Sequence, residues 1–380
     1  MHLTRTLSVM LTATTAVLAA GVPGAATAAP AAGAAPAPGT GQLIQLRSLG
    51  GEGSFAAGLN ERGDLIGASV DAAGNHVAVV WPRGERSPTA LGIDGAWPVA
   101  INEKGHIVGY AKDGLFQYRD GSVSYLRPRA GSSFSSPVIN DGDQVAGTVT
   151  DRAGVTRTFL WQNGRMTTLP TPKGMNSRAV AINNEGEVVG TVTRPGATEQ
   201  AVLWQRGKMI ELGTLGGAGS IPTAINDRGQ VSGNSIVAEF GDGHPFLWQN
   251  GRMTDLLAGT SATAAMVGDL NEAGMMTGTA KFGNQDSRPV LWRDGELIDI
   301  GVPGHVGRSV DLNERGDVTG TTWPDPQGMA MPFRWSDGHT TLFPEPATDI
   351  AITVIGIDGR GIVHVDLETS QFGNIVLRSA

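Results

Sequence analysis

The chain has 380 residues, no cysteine, 28 Lys and Arg against 36 Asp and Glu, and a formal charge of -8. The missing cysteine excludes disulfides, thiolate metal sites and a lipidated N-terminal Cys. Mild acidity without a basic cluster argues against nucleic acid or an anionic membrane surface as partner.

In chain order the N-terminus comes first. Residues 1–28 hold a single cation, Arg5, then an apolar small-residue stretch from Leu7 to Val22 and the run Ala26-Thr27-Ala28. This is the arrangement of a secretory signal peptide cleaved after Ala28. A membrane anchor is the other reading, but the apolar stretch is short, is interrupted by threonines and has no polar stop-transfer flank. Removing Arg5 with the signal takes the charge from -8 to -9. Residues 29–42 (APAAGAAPAPGTGQ) are rich in Ala, Pro and Gly and read as a disordered tether. A secreted, extracellular, bacterial protein is expected, monomeric and without membrane insertion after cleavage. The remaining chain of about 340 residues can bury a sufficient core without disulfides.

From residue 43 onward one phrase returns eight times. It is an apolar stretch ending in Ile-Asn or Leu-Asn, with Gly three and seven residues later. The anchors are Asn60, Asn102, Asn140, Asn183, Asn226, Asn271, Asn313 and a degraded Asp358, at spacings of 42, 38, 43, 43, 45, 42 and 45. A fixed period of this size marks a propeller or solenoid. The second landmark is an aromatic followed three residues later by Gly: Trp81, Tyr118, Trp161, Trp204, Trp248, Trp292 and Trp335. Five of these lead into Asp120-Gly121, Asn163-Gly164, Asn250-Gly251, Asp294-Gly295 and Asp337-Gly338, pairs able to take the positive φ angles of a tight hairpin turn. The Asn-x-x-Gly phrase makes an earlier turn, with the Asn side chain capping its backbone.

In the fourth unit the predicted strands are 178–182, 187–192, 200–204 and 208–212, each short and bounded by turn signals. Four antiparallel strands per unit is the scale of a propeller blade. A β-solenoid would want a shorter repeat, and a β-sandwich would not want the same phrase eight times. The last unit offers strands at 352–357, 361–367 and 374–378 and stops one short, while 43–49 is an orphan matching the fourth strand of other units. The expected fold is therefore an all-β propeller spanning 43–380, of about eight four-stranded blades, closed by an N-terminal strand that completes the last blade. Seven blades is the alternative.

The units around 183 and 226 share LWxxGxMxxLGTLGG…S…AIN, and His244-Pro245-Phe246-Leu247-Trp248 stands where a His-Ala-Phe triplet would. The chain thereby resembles the HAF-repeat family of extracellular repeat proteins, secreted bacterial proteins with no established catalytic motif. The resemblance covers about 43–380 and implies location and architecture rather than a reaction. At the His position the Trp-bearing units read Val77, Arg157, Gln200, His244, Arg288 and Met331, so a ring of metal-binding histidines is ruled out.

If the N-terminal strand of the chain is outermost, the stretch before each anchor lines the central channel. Two residues before the anchors stand Gly58, Ala100, Val138, Ala181, Ala224, Asp269, Asp311 and Gly356. Asp269 and Asp311 break the small or apolar rule in adjacent blades. They are candidates for a cation site or an acid/base pair, or for acceptors of backbone hydrogen bonds from a neighbouring turn. Five residues before the anchors stand Phe55, Trp97, Ser135, Arg178, Ile221, Met266, Arg308 and Thr353, a varied set at a predicted channel mouth. Phe55, Trp97, Arg178 and Arg308 are its candidate ligand contacts, and an exposed Trp beside Arg could stack a sugar or grip a carboxylate. The other reading is a partly buried loop aromatic. Arg62-Gly63-Asp64 and Arg315-Gly316-Asp317 fall inside structural turns and read as coincidence. Ser-His-Asp, zinc and phosphate-loop patterns are absent, the acidic turns lack the alternating carboxylates of a calcium loop, and no metal or cofactor is expected.

The expectation that follows is a secreted, non-catalytic propeller that binds an extracellular ligand, glycan or protein. A secreted propeller hydrolase or lyase acting on polysaccharide through channel carboxylates is the alternative, and a surface-associated structural protein a third possibility.

Overall fold

The repeated phrase builds a β-propeller. A computed structural model describes residues 42–237, 243–283, 286–302, 306–323, 330–343, 351–368 and 375–378. The segments expected to form a signal peptide and a tether, up to residue 41, lie outside the described residues. Seven blades are each made of four consecutive antiparallel strands, spanning 50–90, 97–126, 133–168, 176–211, 219–255, 264–299 and 306–342. A further four-stranded sheet closes the ring from both ends: Ala351–Ile357, Val363–Glu368 and Ile375–Arg378 pair in sequence, and Gln42–Gln45 adds to the last of them. That register places Leu43 opposite Leu377 and Ile44 opposite Val376.

The first strand of every blade touches the first strands of both neighbouring blades, all the way round. These strands therefore line the axis, and Gln42–Gln45, at the far edge of the closing sheet, is outermost. In the fourth unit the strands run Asn176–Ile182, Val188–Thr193, Gln200–Gln205 and Lys208–Glu211, within two residues of the expectation.

The landmarks do more than the sequence assigns them. Each Asn caps its own turn: Asp64, Gln144, Glu187 and Met275 all donate N–H to the Oδ1 of the Asn four residues earlier. The Nδ2 of the same residue donates to the backbone carbonyl of the next anchor. Asn60 reaches Asn102 at 3.0 Å, Asn102 reaches Asn140 at 2.9 Å, and the chain continues through Asn183, Asn226, Asn271 and Asn313 to the carbonyl of Asp358 at 2.9 Å. Asp358 has no amide to pass on, and there the backbone N–H of Gly359 takes over, donating to Glu61 O at 2.8 Å. The anchors thus form a buried belt linking all the blades. At Asn140 the glycine sits one residue early as Gly142, and Asp143 takes the turn's left-handed position with φ 62°.

The tryptophans lie between blades. Trp81, Trp204 and Trp292 are almost fully buried, and each donates its Nε1–H to a carbonyl in the link that leaves the preceding blade: Arg47, Pro170 and Leu256. A large ring is buried and its one polar atom satisfied in the same place. The polar-Gly pairs adopt the expected turn, with Asn163 and Gly164 at φ 50° and 74°, and Arg206-Gly207 does the same at 51° and 73°.

Candidate functional site

The channel is lined by the eight first strands, and each of them carries a bulge that the sequence pattern did not signal. Pairing with the second strand slips just before Gly58, Ala100, Val138, Ala181, Ala224, Asp269, Asp311 and Gly356. A bulge adds one residue and bends the strand. The five residues from the varied position to the anchor span roughly 16 Å at the usual strand rise, which separates the channel into two differently built ends.

At the first end the varied residues stand at one level, since Phe55, Trp97, Ile221, Met266 and Arg308 occupy equivalent registers against their second strands. Phe55 is 44% exposed, Trp97 42%, Ile221 42% and Met266 56%. Among the described residues these are four of the six exposed large hydrophobic side chains, so apolar exposure is concentrated on this mouth rather than scattered. Phe55 stacks on His76 at 6.0 Å and meets Trp97 at 6.2 Å. The aromatic neighbour of Trp97 is thus Phe55, not an arginine as the sequence suggested. Arg178 and Arg308 lie farther round; the Arg178 side chain is 64% exposed and reaches Glu199 at 3.8 Å.

Deeper in, Asp269 and Asp311 meet as the sequence suggested. They share a hydrogen bond, and both also accept backbone N–H groups. Asp269 Oδ1 takes Leu270 N at 2.8 Å, while Asp311 takes Leu312 N at 3.0 Å and, across the seam, Ile357 N at 2.8 Å. Gly356 makes room for this, because a Cβ there would come within 2.4 Å of Asp311 Oδ2. Burial first, and then the neighbouring Asp311 charge, push Asp269 up to about 8; burial likewise raises Asp311. Burial and mutual repulsion both favour a proton held between the two carboxyls. A carboxyl raised in the folded state stabilises the fold fully below its unfolded pKa and loses that contribution as pH rises through its folded one. Asp269→Asn supplies a permanent donor to Asp311. Urea titrations from pH 5 to pH 8.5 should show that it flattens the fall in stability seen toward alkaline pH and leaves the variant more stable than the wild type at the upper limit. An unchanged slope would reject a shared proton.

At the far end lies a collar that the sequence reading missed. The residue after each anchor is Glu61, Glu103, Asp141, Asn184, Asp227, Glu272, Glu314 and Gly359. Each side chain from Glu103 to Glu314 accepts the backbone N–H of the equivalent residue in the preceding blade, as Glu103 does from Glu61 at 2.8 Å and Asp227 from Asn184 at 2.7 Å. An acid or amide at this position in seven of eight copies was the available signal. Crowding has a cost: burial, followed by the Glu314 and Asp311 charges, pushes Glu61 up to about 8, and burial raises Glu103, Glu272 and Glu314. Since these carboxylates are committed to fastening blades, the collar is fold apparatus first. Among the described residues no group of three or more His, Asp or Glu stands so as to hold a metal.

Other sequence features settle into structure. His244, in the His-Pro-Phe triplet, pairs with Asp255 at 2.8 Å, and Arg288 makes the equivalent pair with Asp299 one blade on. Both join the third strand to the fourth, away from the axis. Arg62 and Arg315 fold onto the aspartates of their own tripeptides, at 3.1 and 2.5 Å.

No family model matches the chain, and no curated protein sequence matches it. Solved structures do. The propeller domain of the Trilobed protease from Pyrococcus furiosus superposes with a TM-score of 0.52 at 13% identity, over 77% of this chain and 98% of that one. A puromycin-hydrolyzing peptidase from Mycobacterium tuberculosis (TM-score 0.51, 14% identity) and a prolyl endopeptidase (0.55, 10%) each align over 83% of this chain. The chain spans 57% and 55% of the length of those two peptidases. The Pyrococcus furiosus domain is described as having an open velcro topology, whereas here the two termini pair. These neighbours establish the propeller fold and carry no catalytic residue over to this chain. They do not support the expectation of a non-catalytic module for a glycan or protein ligand, since the propellers superposed here are parts of peptidases.

Proposed function

We propose that this chain is a secreted, peptidase-type propeller that serves peptide-bond hydrolysis by admitting and orienting extended peptide segments at its channel mouth. The observation that carries this is the group of exposed Phe55, Trp97, Ile221 and Met266 at one mouth of the channel. An extended peptide offers apolar side chains to such a group, and backbone carbonyls and carboxylates to Arg178 and Arg308. Its fold neighbours, propellers of peptidases, support the peptide class of substrate.

The test is fluorescence anisotropy with labelled, unstructured casein peptides, with mass spectrometry of the same samples to detect cleavage. Covering the exposed halves of Phe55 and Trp97 is worth roughly 1 kcal/mol each, so the double variant Phe55→Ala/Trp97→Ala should weaken retention about tenfold or more. Peptides that are not retained, or are retained equally by the double variant, would refute the role.

A further inference from the structure

The seam where the closing sheet meets the first blade encloses a pocket of about 200 Å³. Leu46, Leu65, Trp81 and Ile362 form one apolar wall, and Arg86, Arg360 and His364, with Glu85 at the edge, form its polar side. His364 is 3% exposed. Its Nε2 stands 3.6 Å from Asp358 Oδ2, too far for a hydrogen bond, and its Nδ1 has no hydrogen-bond partner among the described residues. A buried imidazole with unmatched nitrogens is costly and calls for a partner. The polar wall is built rather than accidental. Asp358 is fully buried and gripped by Arg360 through Nε at 3.0 Å and Nη2 at 2.6 Å. Burial would raise the Asp358 carboxyl, but the Ile362 N–H and the Arg360 guanidinium beside it hold it down at about 2. Gly63, at φ 90°, leaves the approach open, since a Cβ there would stand 2.5 Å from Arg360 Nη2.

We infer that this seam pocket binds a small apolar carboxylate, its anionic head between His364, Arg360 and Arg86 and its hydrocarbon tail against Trp81, Leu46 and Leu65. The unpartnered Nδ1 of His364 is the imidazole atom left to meet the ligand, while Nε2 faces Asp358. The pocket volume equals on the order of seven water molecules at ~30 Å³ each, the size of a short branched or aromatic acid or of one residue at a chain end. The walls come from both ends of the chain, with Leu46 next to the N-terminal strand and Ile362 and His364 in the closing sheet. A bound acid therefore also stabilises closure of the ring. This inference is independent of the channel mouth.

Calorimetric titration with 3-methylbutanoate and with benzoate, each against its neutral amide, tests it on the purified protein. Both acids are expected to bind at least tenfold more tightly than the amides and to raise the melting temperature. His364→Phe should weaken them tenfold or more, and Arg86→Met, on an exposed side chain, by a smaller but measurable factor. A peptide ending in a free Leu carboxylate, set against its C-terminal amide, identifies the source: binding by the free end alone points to chain ends, and binding by only the short acids points to free metabolites, both within the inference. Equal binding of acid and amide, no binding of either acid to folded wild-type protein, or unchanged affinity in Arg86→Met and in Gly63→Ala would overturn it. The last pair keeps the test decisive if His364→Phe does not fold.

Discussion

Gly190→Ala is expected to cost about 4 kcal/mol or more and to leave little folded protein. Gly190 is the second glycine of the repeated phrase, in the second strand of the fourth blade and opposite Ala179 beside the bulge. The bent inner strand turns the Arg178 carbonyl toward it, so a Cβ would lie 1.9 Å from that oxygen and 3.0 Å from Trp204 Cζ3. Neither can yield, because the carbonyl belongs to the channel-lining strand and the indole is packed between blades. The same approach recurs at Gly67 against Phe55 O, at 1.8 Å, and at Gly320 against Arg308 O, at 2.0 Å. Gly207→Ala is the control. Its φ is 73° with open space around the missing Cβ, so only the left-handed backbone is strained, at roughly 1–2 kcal/mol. Soluble yield and urea denaturation distinguish the two, and a Gly190→Ala protein as stable as Gly207→Ala would show that the bulge is not where the glycine is required.

Asn226 tests the belt. It is 1% exposed; its Nδ2 donates to Asn271 O at 3.1 Å and to Gln230 Oε1 at 2.8 Å, and its Oδ1 accepts from the N–H groups of Gln230 and Arg228. Asn226→Ala strips all of these and leaves a buried carbonyl unpaired, at about 3 kcal/mol, which in a domain of this size lowers the melting temperature by about 4 °C. Asn226→Asp is the discriminating variant. It retains the turn cap but loses the donor to the next blade and sets a carboxylate against two oxygens, so its loss should match or exceed that of alanine at neutral pH. If aspartate were tolerated while alanine was not, the anchors would be turn caps alone. Asp358 shows what such a replacement needs: Arg360 and His364 beside the carboxylate, and the Gly359 N–H to make the link to Glu61.

The periodic residues announced the architecture because their requirements are local. A two-residue turn needs Gly or Asn at particular positions whatever surrounds it, and a strand of five residues between such turns is legible within its own repeat. Asp269 and Asp311 could likewise be placed side by side, since equal offsets in adjacent repeats imply equal heights in adjacent blades. The Asn belt and the acid collar could not be read as linkages, because their bonds join residues 38 to 45 positions apart and one copy does not show which carbonyl the next copy will present. The candidate mouth was seen as variable, but its apolar concentration emerged only when exposure separated Phe55, Trp97, Ile221 and Met266 from the buried aromatics of the same blades.

By itself, then, the amino-acid sequence determined that this protein is an all-β ring of repeats closed by strands from both ends, because turn chemistry and a near-constant period leave few other ways to bury the blade faces. Only the tertiary structure decided how the blades are fastened, which carboxylates share protons, and that a pocket with an unmatched histidine opens at the seam. The blade fastenings join residues about forty positions apart, and the seam pocket also needs the ring to close, which places Ile44 and Leu46 near His364 and Glu61 near Glu314.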